Sequence, residues 1–444
     1  MDNKDSSCRE SPSGQAAMPR SVLMVAYHYP PAQASGTQRI VGFARYLPQL
    51  NWRPLILTVH PMAYEQDSKV WAEDLPGVTV ARPLALDTAR HLSFKGRYTR
   101  LLALPDRWVT WLVTALPVGL WLIWKHKPKM IWSTYPIATS LLIGWLLSRW
   151  SGRPWIVDLR DPMVLGRHPL DPSLRKLFVR LEARILKRCH RIVVTTAGLK
   201  ELLSQRYPDI AANKWLVIAN GYDEEVFNDP AIVRALAAKP GLKNRTISLL
   251  HSGTLYLGPE ERNPAAFLDA LIDLQKQGFL SPPDSPDGPG IKLKVMLRAS
   301  GHDAQIQAMI QERQLQGSVV LLPTVPYRDS LLEMVGMDGL LLFQGEAFDR
   351  LIPAKLFEYL RSGRPVFALV GQSGDSRKIL DDCGVSHCAP LEDRQAIAAA
   401  LIPFLQEVLL NQPNITSEER VRKYSRFEGA RALAALLEDV AGLS

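Results

Sequence analysis

The sequence predicts an α/β protein with two units, each built on a parallel β-sheet. Short, continuously apolar runs such as VLMVAY and GLLLFQ are typical of buried parallel strands. Stretches with helical spacing follow them, and the order strand, loop, helix, strand recurs in both halves. A chain of 444 residues is long enough for two or three domains with full cores.

The first half opens with a strand and a loop that precedes a helix. Residues 22–27 are apolar, and Gly36 lies in the loop before a helical stripe that starts at Thr37. A second apolar run at 55–59 completes a Rossmann-like unit. The start of the helix offers backbone N–H groups and a positive dipole end to an anion. Further strands are predicted at 130–133, 155–157, 191–195 and 216–219.

Charged residues follow the predicted strand 155–157. In the sequence DLRDP, Asp158, Arg160 and Asp161 stand at the carboxyl end of that strand, where ligands bind in open α/β sheets. Carboxylates beside an arginine can position an acceptor hydroxyl or orient a general base, so these are the predicted catalytic residues. Structural ion pairing is the alternative for each of them. His28 and His168 are interpreted as structural, with His168 as a secondary catalytic candidate.

Residues 108–150 are the most hydrophobic part of the chain. The run 108–124 has no charge, contains Pro117 and is followed by KHKPK. Tryptophans near basic residues favour the interface of an anionic membrane. A run of about 17 residues is at the lower limit for a membrane span, so we expect a segment that lies on the membrane. Two buried helices around the strand 130–133 are the alternative, and one face can pack while another contacts lipid.

The second half repeats the alternation of strands and helices. A strand begins at Ser248 and leads into a small-residue loop that contains Gly253. Strands are also predicted at 292–297, 319–322 and 338–343, and a helix is predicted from Asp329, which is expected to cap it. The arrangement indicates a second parallel sheet with loops at the carboxyl ends of its strands.

The stretch IPAKLFEYLRSGRP organises the second half. Pro353 suits a first helical turn, Gly363 suits a helix end, and Lys355–Arg361 has helical spacing between them. A carboxylate such as Glu358 can accept hydrogen bonds from ribose hydroxyls, and a lysine near a helix start can bind phosphate. A Glu–Lys pair on a solvated helix face is the alternative interpretation.

This stretch resembles the donor-site motif of retaining GT-B glycosyltransferases of family 4. In that family a Glu-x7-Glu pattern ends in the glutamate that binds the ribose, followed by a small-x-Gly-x-Pro turn, and Glu358, Gly363 and Pro365 match that ending. The first glutamate of the pattern would fall at position 350, where this chain has Arg350. Because the family's first glutamate contacts the transferred sugar, the departure bears on sugar identity and on activity.

Other segments share the resemblance. The loop and helix start with Gly36, Gln38 and Arg39, the DLRDP sequence and the Asn220–Gly221 turn are similar to family sequences. The resemblance implies that Gly253, Arg262 and Lys355 lie at the donor diphosphate, with an exposed loop arginine as the alternative for Arg262. It implies that the loop with Gly36 lies near the donor phosphates, where Gly36 is assigned, or near the acceptor, with a plain tight turn as the alternative. It also implies retention of anomeric configuration and a reaction without a bound metal ion. No cofactor other than the nucleotide-sugar substrate is expected.

The predicted GT-B architecture has two Rossmann-like domains that face each other across a cleft. Residues 1–20 are expected to be a disordered tail. The acceptor domain is expected to span 21–223, with a tryptophan-rich membrane-facing segment at 108–150. A polar linker at 224–244 leads to the nucleotide-sugar domain at 245–420. Residues 421–444 are expected to form a helix that returns to the first domain.

Composition bounds the partners. The net charge of +9 favours anionic partners, and no nucleic-acid motif is evident. Four scattered cysteines suit a reducing cytoplasm, and a metal site at Cys383, His387 and Cys388 is not expected. The expected activity is sugar transfer from a nucleotide diphosphate to a lipid-linked or saccharide acceptor at the inner membrane face, in surface polysaccharide, exopolysaccharide or lipopolysaccharide synthesis. A sugar-nucleotide epimerase and a non-catalytic protein that binds membrane or partner are the alternatives.

Overall fold

The structure is a computed structural model of the whole chain. It describes residues 20–32, 36–64, 75–93, 98–99, 103–166, 169–238, 246–258, 260–283 and 288–442. The tail predicted for 1–20 lies outside these ranges except for Arg20, which belongs to the first strand. The secondary candidate His168 also lies outside the described residues.

The first half of the chain forms a parallel sheet with the described strand order β3-β2-β1-β4-β5-β6-β7. Its strands are β1 Arg20–Val25, β2 Trp52–Leu57, β3 Thr79–Ala81, β4 Met130–Thr134, β5 Trp155–Leu159, β6 Arg191–Val194 and β7 Trp215–Val217. Its helices are α1 Thr37–Tyr46, α2 Thr88–His91, α3 Trp111–His126, α4 Ala138–Ser151, α5 Pro172–Arg188 and α6 Ala197–Arg206. The strand order reverses between β1 and β4, so a ligand crevice is expected at their carboxyl ends.

The second half forms another parallel sheet, with the described order β11-β10-β8-β12-β13-β14 and β9 beside β10. Its strands are β8 Thr246–Ser252, β9 Leu280–Ser281, β10 Ile291–Arg298, β11 Val319–Leu322, β12 Gly339–Gln344, β13 Val366–Val370 and β14 Cys388–Ala389. The helices from 224 onward are α7 Glu224–Phe227, α8 Pro230–Ala237, α9 Ala265–Lys276, α10 Asp303–Glu312, α11 Tyr327–Val335, α12 Lys355–Arg361, α13 Asp375–Asp382, α14 Arg394–Leu409, α15 Glu418–Arg422 and α16 Arg426–Val440. The α/β prediction with two parallel sheets is confirmed.

The segment predicted as a polar linker is partly helical. Helices α7 and α8 lie within 224–244, each capped by an aspartate at its start, Asp223 and Asp229. Phe227 and Ile232 are fully or almost fully buried in the hydrophobic core of the second sheet. The two helices were not predicted, because most residues of the segment are polar and the burial of Phe227 and Ile232 depends on tertiary packing. Residues 239–245 lie outside the described part.

The last helix packs on the first half of the chain. Leu433 and Leu437 of α16 belong to the same buried cluster as Phe43 of α1 and the strand residue Met24. The chain leaves the first sheet and returns to it at one point, where Tyr222 pairs with Ser425 in a parallel bridge. The outgoing and returning segments therefore support each other, and the cleft lies beside this double crossing.

Helices α3 and α4 flank β4 and are buried on one side only. Trp111 is fully buried, whereas Val113 is 77% exposed and Trp124 is 76% exposed on the opposite face of α3. None of the described helices is both long and apolar enough to cross a membrane. The helix predicted from Asp329 begins at Tyr327 and has no side-chain cap, so the capping role predicted for Asp329 is wrong.

Removing a core side chain of α16 tests its docking. We expect Leu437→Ala to lower the free energy of unfolding by about 2–5 kcal/mol, because a fully buried leucine leaves a cavity. Urea denaturation measures the change. The control Leu410→Ala removes a side chain that is 69% exposed and should cost below about 0.5 kcal/mol. Equal stability of the two variants would contradict the docking.

Candidate functional site

Helix α12 carries Lys355 and Glu358 to the mouth of the cleft. It follows β12, begins two residues after Pro353 and ends before Gly363, whose φ of +63° suits glycine. Leu356 and Tyr359 anchor the helix in the core of the second sheet. The polar residues of the same short helix therefore have defined positions at the carboxyl ends of β8 and β12.

The ammonium group of Lys355 lies against a tight turn after β8. Its Nζ is 3.3 Å from Nε2 of His251. A Cβ atom at Gly253, where φ is +122°, would lie 2.5 Å from that Nζ, so only glycine leaves room for the lysine. Burial and, to a smaller extent, the charge of Arg262 lower the pKa of Lys355 to about 7, and Glu358 opposes the shift. Lys355 is therefore a cation that a bound anion would stabilise.

Glu358 is 9% exposed and already has partners. The hydroxyl of Tyr327 donates a hydrogen bond of 2.7 Å to its Oε1, and Nη2 of Arg426 lies 3.7 Å from the same oxygen. Burial raises the pKa of Glu358, while Arg426, Tyr327 and Lys355 lower it. A ribose that binds Glu358 would compete with Tyr327 for this carboxylate or share it.

Arg262 lies in the long loop between β8 and α9, near Lys355. Its Nε donates a hydrogen bond of 3.0 Å to Oε1 of Gln344. Its guanidinium carbon lies 4.9 Å from the ring centre of Phe348 and 5.5 Å from that of Tyr256. Burial lowers the pKa of Arg262, and Asp161 of the first domain is among the groups that oppose the shift. Arg262 therefore faces the opposite side of the cleft.

Arg160 and Gly36 meet on that opposite side. A Cβ atom on Gly36 would lie 2.1 Å from a terminal nitrogen of Arg160, so the guanidinium occupies the space beside Gly36. Nε of Arg160 donates a hydrogen bond of 2.8 Å to the Tyr135 carbonyl. Burial lowers the pKa of Arg160, and the neighbouring carboxylates of Asp161 and Asp158 oppose this. The α1 start and the DLRDP segment, predicted for different ligands, thus form one surface.

Asp161 lies between cations of the two domains. Its side chain is exposed within the cleft. Desolvation by the cleft walls raises the pKa of Asp161, whereas Arg160 and Arg262 lower it. Asp161 remains the predicted catalytic residue with access to the cleft.

Asp158 has a different position from the predicted one. It is fully buried and binds Arg39, with 2.7 Å from Oδ1 to Nη2 and 3.0 Å from Oδ2 to Nε. The hydroxyl of Thr134 donates a further hydrogen bond of 2.8 Å to Oδ2. Arg39 also donates to the Ala219 carbonyl at 3.1 Å. Asp158 therefore joins α1, β4, β5 and the domain crossing, which fits the alternative of structural ion pairing, and its catalytic role stays a prediction.

Two histidines, His28 and His251, lie near these charged groups. His28 lies at the end of β1, where burial and the nearby Arg160 lower its pKa to about 4. Its buried Nδ1 has no hydrogen-bond partner among the described residues. His251, the partner of Lys355, was not predicted at all. The only sequence signal for it is its place as a polar residue in an otherwise apolar strand, directly before the small-residue loop.

Arg350 lies where the two domains touch. Its carbonyl accepts a hydrogen bond of 2.6 Å from the Thr196 hydroxyl at the start of α6. Next to it, the backbone N–H of Gly198 donates to Asp375 at 2.5 Å. The Arg350 side chain is exposed. Arg350, which replaces the first glutamate of the family's Glu-x7-Glu pattern, therefore lies in a contact between the loop after β12 and the first domain.

The described residues contain no cluster of three or more histidine, cysteine or acidic side chains arranged to hold a metal ion. His387 lies 2.8 Å from a carboxylate oxygen of Glu407. Cys383 is buried.

Comparisons with known proteins identify the class. Residues 34–221 match a family described as glycosyl transferase 4-like domain. Sucrose-phosphate synthase from Thermosynechococcus elongatus is 16% identical, with a TM-score of 0.67 over 96% of this chain and 100% of that one. HepE of Anabaena, solved with UDP and glucose, is 13% identical, with a TM-score of 0.62 over 95% of this chain and 100% of that one.

A third structure is the lipopolysaccharide outer core galactosyltransferase WaaB, 12% identical, with a TM-score of 0.56 over 94% of this chain and 99% of that one. No curated protein matches the chain. The structures establish the GT-B fold, which confirms the fold prediction. Residues 34–221 are similar to glycosyl transferase 4-like domains, in agreement with the resemblance to family 4.

Substitution separates the roles of the two aspartates. We expect Asp158→Asn to lower the free energy of unfolding by about 3–5 kcal/mol, because Arg39 is then a buried charge without a counter-charge. Asp161→Asn should change stability by less than about 1 kcal/mol, since its side chain is open to the cleft. Denaturation curves of both variants measure this. A stable Asp158→Asn protein would remove the structural role assigned to the pair.

Proposed function

We propose that the protein transfers a sugar from a nucleotide diphosphate to an acceptor held by the first domain. The observation that carries the proposal is the convergence of Lys355, Arg262 and Glu358 at the carboxyl ends of β8 and β12, opposite Arg160 and Asp161. The groups come from both halves of the chain, and Arg262 and Asp161 interact electrostatically between them. A ligand with a diphosphate, a ribose and a sugar has parts that match each of them.

The donor site is proposed around the turn at Gly253. Arg262 lowers the pKa of the neighbouring Lys355, so an anion that binds both cations would offset this unfavourable interaction. Glu358, on the same helix as Lys355, offers a carboxylate to the ribose hydroxyls. Gly253 lets the backbone approach the diphosphate as closely as it approaches the lysine. The complex of HepE with UDP-glucose, a protein of the same fold, supports a nucleotide sugar as the donor class.

The acceptor site is proposed around Asp161, Arg160 and His28. Asp161 can accept a hydrogen bond from an acceptor hydroxyl, and Arg160 holds it in place electrostatically. The unpartnered Nδ1 of His28 offers a further polar contact beside Arg160.

In the proposed step the bond between the anomeric carbon and the diphosphate oxygen breaks, and the acceptor oxygen bonds to that carbon. The acceptor proton leaves with the nucleotide diphosphate or through a neighbouring base. Lys355 and Arg262 stabilise the negative charge that develops on the leaving diphosphate, so we propose that they take the part of a metal ion. Retention of anomeric configuration is proposed by analogy with family 4.

A lipid-linked acceptor at an anionic membrane completes the proposal. The apolar strip of α3 has Val113, Trp121 and Trp124 at 77%, 48% and 76% exposure, and Trp150 at the end of α4 is 55% exposed. The neighbouring helix α5 carries exposed basic residues, among them Lys176, Arg180, Arg184, Lys187 and Arg188. Exposed tryptophans beside a basic face match the interface of an anionic phospholipid bilayer. Surface polysaccharide synthesis is the proposed setting.

Calorimetric titration with UDP, GDP and ADP tests the donor site. We expect one nucleotide to bind and Glu358→Gln to weaken it by about 1–3 kcal/mol, because a charge-assisted hydrogen bond to ribose is lost. The control is Glu407→Gln, which changes a partly exposed glutamate that pairs with His387. Turnover of the matching nucleotide sugar with and without acceptor separates transferase from epimerase. A folded protein that binds no nucleotide would instead favour the non-catalytic alternative.

Vesicle sedimentation tests the membrane surface. We expect the protein to bind vesicles that contain phosphatidylglycerol more tightly than vesicles of phosphatidylcholine alone. Trp124→Ala should weaken binding by about tenfold, since a large side chain no longer enters the interface. Leu410→Ala, an equally exposed apolar residue of the second domain, is the control. If Trp124→Ala and Leu410→Ala both bind vesicles as tightly as the parent does, the proposed membrane-binding surface is contradicted.

A further inference from the structure

We propose that His251 is a positioning residue for Lys355: its imidazole Nε2 accepts a hydrogen bond from the lysine ammonium and holds it over the Gly253 turn, ready for a diphosphate. The proposal rests on the donor site described above and adds a residue to it. His251 does not reach the cleft, because it is fully buried. It acts through Lys355 alone.

The imidazole is rigidly held in the second sheet. His251 lies in β8, and its ring stacks edge-on against Phe343 of β12 with 5.0 Å between ring centres. Its Nδ1 is 2.9 Å from the Leu341 carbonyl, also in β12. A ring fixed on two sides and with both nitrogens in use cannot turn without losing these contacts. It therefore provides a fixed reference point for a long, flexible lysine side chain.

Each ring nitrogen of His251 faces a carbonyl, which can only accept: Nδ1 is 2.9 Å from that of Leu341 and Nε2 is 3.1 Å from that of Gly253. Burial keeps His251 neutral, since it lowers the pKa far below the ordinary value, and the nearby Lys355 lowers it further. A neutral imidazole has one proton, and we assign it to Nδ1, which has the shorter contact and donates to Leu341. Nε2 then has a free lone pair, which faces the Lys355 ammonium at 3.3 Å.

The Gly253 carbonyl strengthens the pairing. It lies 3.1 Å from Nε2 of His251, and in this tautomer the two atoms are both acceptors. Two such acceptors repel each other unless a cation lies beside them. The ammonium of Lys355 is that cation, and the same turn leaves no space for a side chain at position 253. The arrangement thus favours the charged form of the lysine at one position.

Other charged groups around the pair work in opposite directions. Arg262 disfavours the ammonium of Lys355, and Glu358 favours it. Arg262 itself faces Asp161 across the cleft, while Glu358 is shared with Tyr327 and Arg426. The free protein therefore holds Lys355 with a pKa of about 7, near the middle of the physiological range.

Diphosphate binding must then be linked to a proton. A diphosphate favours the ammonium, so the pKa of Lys355 rises on binding. Below about pH 7, Lys355 of the free protein already carries the proton, and the affinity for the nucleotide does not depend on pH. Above that pH each binding event takes up a proton, and affinity falls by about tenfold per pH unit until the pKa of the complex is reached.

Titration of the full chain with UDP, or with GDP or ADP if one of those binds, tests the positioning role. We measure affinity from about pH 6 to about pH 9, and proton uptake from the heat in buffers of different ionisation enthalpy. The parent should take up a proton near pH 8. Lys355→Arg should show no uptake, because a guanidinium stays charged over this range.

Substitution of His251 is the decisive comparison. His251→Phe keeps the ring but removes the acceptor, so we expect about tenfold weaker binding at neutral pH and an affinity loss that begins at lower pH. His251→Gln can donate to Leu341 and accept from Lys355, and it should restore much of the parent profile. His387→Gln, at a histidine of the same domain that pairs with Glu407, should leave the profile unchanged.

Two results overturn the inference while leaving the donor site intact. One is a folded His251→Phe protein whose affinity and pH profile equal those of the parent. The other is proton uptake that persists in Lys355→Arg. A parent protein that binds none of the nucleotides removes the donor site, and with it this inference.

Discussion

One buried guanidinium joins the return helix to both domains. Arg426, 8% exposed, has its Nη1 3.2 Å from Gln38 of α1 and 3.6 Å from Asp223 at the domain crossing, and its Nη2 3.7 Å from Glu358. Loss of this cation would leave Asp223 with Arg45 as its counter-charge but would remove the ion-pair partner of the buried Glu358, which is costly in a region of low dielectric. The orientation of Glu358 in the candidate donor site therefore depends on a residue from the last helix of the chain.

Burial disfavours the charged forms of three basic residues near the cleft. Lys355, Arg262 and Arg160 converge from two domains, and burial lowers the pKa of each of them. Asp161 is the carboxylate that lies between two of these arginines. Cations that protein burial disfavours in the free state are the groups that gain most from a negatively charged ligand. The charge pattern therefore favours a negatively charged ligand, in agreement with the proposed nucleotide-diphosphate donor.

Local sequence patterns predicted the elements but not the partners of their side chains. Helix Lys355–Arg361 and strand Val319–Leu322 have the predicted bounds, because apolar spacing and the Pro and Gly signals act within a few residues. The pairing of Asp158 with Arg39 was not predicted, since Arg39 is 119 residues away in sequence. In DLRDP the spacing is the same whether an aspartate turns inward to an arginine or outward to the cleft. The roles of the candidate site residues stay predictions.

The sequence alone determined the α/β class, the parallel sheets and the helix that carries Lys355 and Glu358. These follow from hydrophobic periodicity, which every local window of the chain contains. The tertiary structure decided which polar groups meet, because parallel strands bring loops from distant segments to one edge of a sheet. His251 reaches Lys355 across 104 residues, and Arg426 reaches Gln38 across 388. No spacing along the chain encodes such contacts, since they depend on the packing of whole domains.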